Sequence, residues 1–289
     1  MAMATLIAAG RLDERLLAAA LERLPGASFH RWIDDGDAAD VAIDGPLDLA
    51  RAALGQLEGV DFAIWPADRV PARLFVADMD STMIGQECID ELADLAGFRD
   101  RVAAITERAM RGELDFAHAL AERVALLEGL DQKVIKQCLK ASIRPNPGAA
   151  TLVATLKNRG VLTVLVSGGF TDFVRPIALQ LDFDRMMANH LAVAEDGKLT
   201  GQTVGKIVDA AAKRQLAGQI LAAKEWAPEA LMAVGDGAND IPMIELAGLG
   251  VGYRPKPALA AAANGLVRFH DLTALLWMQG ISKAEWVSA

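Results

Sequence analysis

The sequence predicts an α/β protein in which a parallel, helix-flanked sheet follows a smaller α+β unit. Four uninterrupted apolar runs, at 74–77, 161–166, 231–234 and 249–251, have the character of strands buried on both faces. Helical patterns precede each of the last three, which is the order of βαβ units. Residues 1–70 instead alternate as β-α-β-β-α-β, the ferredoxin-like order.

In that first unit strands are expected near 4–9, 28–33, 41–43 and 60–65, with helices over 13–24 and 47–57. The first helix gathers Leu16, Leu17, Ala20 and Leu21 on one face. A loop at Ala8-Ala9-Gly10-Arg11-Leu12 leads into it, and the acidic turn Asp34-Asp35-Gly36-Asp37 separates the second and third strands. Pro66 and Pro71 punctuate the end, so a boundary is expected near residue 70. The sheet domain is expected over 71–86 and 149–289. The long gap between its first two strands reads mostly as helix, at 87–95, 99–111, 116–127 and 132–142. An inserted helical cap over 87–148 is therefore expected above the sheet's end, closed by Pro145-Asn146-Pro147-Gly148. A hairpin over 187–204 turns at Asp196-Gly197.

Composition narrows the function. The 289 residues carry 29 Lys and Arg against 38 Asp and Glu, a net charge of −9, and 53% are hydrophobic, a globular balance that excludes a wholly disordered chain. No uncharged stretch approaches the roughly 20 residues that cross a bilayer. Residues 1–10 have no basic flank and only a brief apolar run, so no secretory signal is read and a cytoplasmic location is expected. An acidic chain without Lys/Arg runs offers no footprint for nucleic acid. Cys88 and Cys138 cannot build a disulfide framework and read as reduced. His30, His118, His190 and His270 are scattered and suggest neither a zinc site nor a triad. Any phosphate site in so acidic a chain must be made positive locally, by a metal, a lysine or backbone N–H groups.

Such a site can be assembled from strand ends, where ligands bind in open α/β sheets. Asp78-Met79-Asp80-Ser81-Thr82 follows the first core strand, although a lone Asp there is more often a helix cap. The segment is no calcium loop, because its sixth position is Met83 and its twelfth Ile89. Ser167-Gly168-Gly169 follows the second strand and lets backbone N–H groups approach an oxyanion beside a hydroxyl. Gly235-Asp236-Gly237-Ala238-Asn239-Asp240 follows the third and matches neither a Walker loop nor a dinucleotide fingerprint. Four carboxylates without His or Cys nearby form an oxygen-rich set suited to Mg²⁺ and a substrate phosphate.

Taken together, and in this order with Lys213 between the last two, these motifs resemble the haloacid-dehalogenase-like (HAD) phosphatases over roughly residues 73–280, and within them the branch acting on phosphoserine. The resemblance implies a HAD-like Rossmannoid core with a helical cap, hydrolysing O-phospho-L-serine in L-serine biosynthesis. By it Asp78 is the nucleophile that forms an aspartyl-phosphate, and Asp80 is the general acid and then the base for water. Lys213, by its spacing before Asp236, neutralises phosphate and nucleophile. Mg²⁺ is held by Asp78, Asp236 and the backbone carbonyl of Asp80, with Asn239 and Asp240 orienting the groups behind. Ser167, Gly168, Gly169, Lys213 and Asn239 bind the substrate phosphate. In the cap, Glu87 faces the substrate ammonium, Arg123 forks onto its carboxylate, and Met110 and Phe116 close over it. Residues 1–70 resemble ACT-like regulatory units, without the Pro-Gly turn of amino-acid-sensing versions, and offer a surface for a homodimer. Another phosphomonoesterase, a phosphotransferase acting on an acceptor such as homoserine, and a serine-sensing protein remain alternative readings.

Overall fold

The computed structural model describes every residue except Met1, Pro25, Ala67, Gly112 and Ala289, with the side chain of Met110 also outside the described set. Ala2–Leu12 (β1), Glu14–Arg23 (α1), Ala27–Asp34 (β2), Gly36–Ile43 (β3), Leu47–Gly55 (α2) and Asp61–Pro66 (β4) make the first unit. Its strands are antiparallel in the order β2-β3-β1-β4, the ferredoxin-like arrangement. Asp13 starts α1 by accepting a hydrogen bond from the Leu16 N–H. The expected 8–12 loop is instead the end of β1. Gly10 N–H donates to Asp37 Oδ1 at 2.7 Å and Leu12 pairs with Gly36, so the strand runs on to the helix cap. The acidic turn likewise shrinks to Asp35, because Asp34 ends β2 and Gly36 opens β3.

The second part begins with Leu74–Ala77 (β5), all four residues buried. Four helices follow: Cys88–Ala96 (α3), Arg99–Met110 (α4), Phe116–Ala125 (α5) and Lys133–Ala141 (α6). The chain then returns through Ala149–Asn158 (α7), Leu162–Phe170 (β6), Thr171–Gln180 (α8), Arg185–Val193 (β7) and Leu199–Val204 (β8). Ala210–Lys224 (α9), Leu231–Gly235 (β9), Ile241–Leu246 (α10), Leu249–Tyr253 (β10), Pro257–Ala262 (α11), Gly265–Val267 (β11) and Ala274–Met278 (α12) complete it. Strands β11-β10-β9-β5-β6-β7 are parallel and β8 returns antiparallel on β7. Central β5 is covered on both faces, which is why its sequence is apolar throughout rather than alternating. Helices α7, α8 and α12 line one face, while α1, α2, α9, α10 and α11 line the other. No helix among the described residues is long and apolar enough to cross a membrane.

The two sheets are one. β4 pairs antiparallel with β11, Phe62 opposite Leu266 and Ala63 opposite Gly265, giving a continuous eleven-stranded sheet. Buried Asp61 accepts hydrogen bonds from the backbone N–H groups of Arg268, Phe269 and His270 and lies 2.7 Å from His270 Nδ1. The opposite ring nitrogen of His270 accepts from Ala9 N–H at 2.9 Å, so the imidazole proton sits on Nδ1. Arg268 caps the carbonyls of Gly55, Leu57 and Val60. Under the sheet, Ile7, Ala38, Ala63 and Trp65 share one apolar cluster with Trp277 and Met278 of α12.

Because Asp61→Ala removes the buried acceptor of three part-buried backbone amides and of His270 Nδ1, it should lower stability by about 2 kcal/mol or more. Urea unfolding followed by circular dichroism is expected to show that loss within a single transition; a loss under about 1 kcal/mol would contradict the seam's role.

Candidate active site

Each strand end contributes one part of the site. Backbone N–H of Asp78 donates to Val234 O at 3.0 Å, which fixes the residue where β5 leaves the sheet. Its Oδ1 accepts from Met79 N–H at 2.7 Å and lies 2.8 Å from Lys213 Nζ. Lys213, one turn into α9, is only 1% exposed and also lies 2.7 Å from Asp240 Oδ1. The other oxygen of Asp240 accepts from the N–H groups of Asp236 and Gly237, both at 3.2 Å. A methyl group at Gly235 would fall on the Asp240 carboxylate, so only glycine admits this approach. Burial and the neighbouring Asp240 push Asp78 well above the usual carboxylate range, against the pull of Lys213. Burial works against the charge of Lys213, yet Asp78 and Asp240 together hold it above the ordinary lysine value.

After Asp78 the chain makes a wide turn over Met79–Met83, closed by Ile84 N–H on Met79 O at 3.0 Å. Ser81 takes φ 55 there, a left-handed conformation uncommon for a residue with a Cβ. The turn aims Asp80 sideways: Oδ1 accepts from Cys88 N–H at 2.9 Å and Oδ2 from Ser167 Oγ at 3.1 Å. Burial raises Asp80, an environment suited to holding a proton for delivery. Ser167-Gly168-Gly169 is a bulge within β6 rather than a turn beyond it, since pairing with β7 is interrupted between Val166 and Phe170. Asn189 clamps it, donating to Gly168 O and accepting from Val208 N–H, each at 2.8 Å. Asn239 Nδ2 lies 3.5 Å from Asp78 Oδ2.

From above, Glu87 accepts from Ser81 Oγ at 2.7 Å just before α3. Burial first, then the charge of Asp80, raises Glu87 to about 7. Arg123 on α5 bonds its own helix at Ala119 O, and its guanidinium feels the charges of Asp90, Glu87 and Asp80. Phe116 stands over Gly168, where an added Cβ would lie 3.0 Å from its Cζ. The side chain of Met110, expected in the same lid, lies outside the described residues.

Asp78, Asp236 and Asp240 offer carboxylate oxygens within 4.8 Å of one another, all buried. Both oxygens of Asp240 are already engaged, so Asp78 and Asp236 are the side chains left to ligate a cation. The Asp80 carboxylate is turned away to Ser167 and Cys88, which leaves only its backbone to face such an ion. This hard-oxygen set, with its excess of buried negative charge, fits Mg²⁺ or a similar divalent ion. Sequence reasoning missed four supporting residues: Ser81, Cys88, Asn189 and Lys256, whose Nζ lies 2.9 Å from Asp236 Oδ2. Only Lys256 carried a usable signal, its place just beyond the fourth core strand.

A family model for haloacid dehalogenase-like hydrolases matches residues 75–245, and the chain belongs to that family. Among curated proteins it is 46% identical over 203 residues to a phosphoserine phosphatase of Idiomarina loihiensis, covering 70% of this chain and 91% of that one. It is 42% identical over 254 residues to a phosphoserine phosphatase of Streptomyces coelicolor, covering 86% of this chain but 62% of the longer relative. A crystal structure of a probable phosphoserine phosphatase from Vibrio cholerae superposes with a TM-score of 0.80 at 33% identity, covering 98% of this chain and 88% of that one.

Lys213→Met would leave two buried carboxylates uncompensated and is expected to cost about 3–5 kcal/mol of stability in urea unfolding at neutral pH. An unchanged midpoint would show that Lys213 is not the counter-charge of the site.

Proposed function

We infer that this chain is a phosphoserine phosphatase, hydrolysing O-phospho-L-serine to L-serine and phosphate through an aspartyl-phosphate on Asp78. The observation that carries the reading is the placement of Glu87, with Arg123 in its field, above a buried Asp78–Lys213 pair, so that a charged amino acid is met on one side and its phosphate on the other. Asp78 is the carboxylate that attacks phosphorus, with the Lys213 ammonium beside it to offset the charge. As the bond from phosphorus to the seryl oxygen breaks, Asp80 gives that oxygen its proton. Asp80 then removes a proton from water, whose oxygen attacks the same phosphorus and returns Asp78 as a carboxylate. Lys213, Ser167, the Gly168 and Gly169 backbone and Asn239 hold the phosphoryl oxygens throughout. Mg²⁺, held by Asp78, Asp236 and the Asp80 carbonyl, would neutralise charge accumulating on those oxygens.

In the cap, Glu87 attracts the substrate ammonium, Arg123 pairs with its carboxylate, and Phe116 excludes water. The division into residues 1–70, a core of 71–86 with 149–289, and a cap of 87–148 belongs to the same reading. Residues 1–70 are proposed to be ACT-like and to form a homodimer, in a cytoplasmic enzyme of serine biosynthesis.

Phosphate release from phosphoserine, phosphothreonine, phosphotyrosine and a sugar phosphate, each with Mg²⁺ or EDTA, tests the reading. Preference for phosphoserine, lost in EDTA and reduced by about 10³-fold or more in Asp78→Asn, is expected; equal rates on all four would discard the pocket, and activity surviving in the variant would discard the nucleophile. A second expectation concerns pH. Glu87 titrates near 7, so its charge is present above that value and lost below it. KM for phosphoserine should therefore rise as pH falls from about 8 to about 6, whereas Glu87→Gln should start roughly tenfold weaker and lose most of that dependence. A parallel pH profile in the two proteins would remove Glu87 from substrate binding.

A further inference from the structure

Asp236 is buried, and among the described residues its carboxylate has one ion-pair partner, Lys256, with Nζ 2.9 Å from Oδ2. The two lysines of the site are held differently. Lys213 is sealed between Asp78 and Asp240, whereas the side chain of Lys256 is 65% exposed and reaches Asp236 from the solvent side. Its main chain is nevertheless fixed. Lys256 N–H donates to Asp236 O at 2.8 Å, Pro257 begins α11 immediately after it, and Arg254 N–H holds Val267 O at 2.7 Å. Only the four-carbon stem of Lys256 is therefore free to move, and the field of its ammonium reaches Glu87 in the cap as well as Asp236.

A divalent cation that binds Asp236 beside Asp78 meets an ammonium already on that carboxylate. We propose that Lys256 is a place-holder for the divalent cation, neutralising Asp236 while the site is empty and swinging off it toward solvent and Glu87 when the ion enters. The inference rests on the reading of Asp236 as a cation ligand. Cation binding is then an exchange of one positive charge for another, and the empty site never leaves Asp236 unpaired beside Asp78 and Asp240.

The test is Mg²⁺ titration of the metal-free full-length protein by calorimetry, with thermal unfolding in EDTA and in Mg²⁺, for the native chain, Lys256→Met and Lys256→Arg. Neither readout needs substrate. Lys256→Met should bind Mg²⁺ at least about threefold more tightly, melt lower in EDTA, and gain more in Tm from Mg²⁺ than the native chain, while Lys256→Arg stays close to native. Equal or weaker Mg²⁺ binding by Lys256→Met, with the native chain binding normally, would overturn the place-holder alone. Failure of all three proteins to bind Mg²⁺ would overturn the cation reading of Asp236 and this inference with it.

Discussion

Everything at the active edge depends on one buried ammonium. Lys213 sits with almost no exposure between Asp78 and Asp240 and is the cation that both buried carboxylates share. That requirement spreads outward. Asp240 must turn its second oxygen to the Asp236 and Gly237 amides, Gly235 must lack a side chain, and α9 must place a long cation on an otherwise apolar face with Ala212, Ala217 and Leu221. The same pairing leaves one Asp78 oxygen uncommitted to Lys213, a division of roles within a single carboxylate.

A second constraint is the seam between the units. Without the first unit, the three-residue strand β11 would be an open edge of the parallel sheet, with unpaired backbone groups. β4 covers it, and Asp61 draws the following three amides into the seam, so the first unit is built into the scaffold that aligns β10, β9 and β5. Arg268 and His270 bind across the join through contacts more than 200 residues apart in sequence.

The placement of the strand-end residues was legible because it is local. A buried strand shows as an unbroken apolar run, and the residues just beyond it, Asp78, Ser167 and Asp236, are placed by the sheet without further information. The cap helices were legible for the same reason, from their periodicity and the glycines between them. What could not be read was settled by partners distant in sequence. β11 is too short to show a period, and Gly10 continues β1 only because Asp37 takes its N–H. Ser167-Gly168-Gly169 became a bulge because β7 resumes pairing at Phe170. Cys88 reads as an ordinary buried cysteine and serves Asp80 through its backbone, which no side-chain pattern can announce.

The helices between β5 and α7 are joined to the sheet at two places: where Ile84 bridges Pro145, with Asn146 N–H on Met83 O and Asn146 Nδ2 on Thr82 O, and where Asp131 bridges Lys198 of the β7–β8 hairpin. Asp80 stands beside the first of these joins. Its Oδ2 is held by Ser167 of β6, but its Oδ1 is held by Cys88 N–H, the first amide of α3. A displacement of α3 against β6 would therefore break one of these two hydrogen bonds.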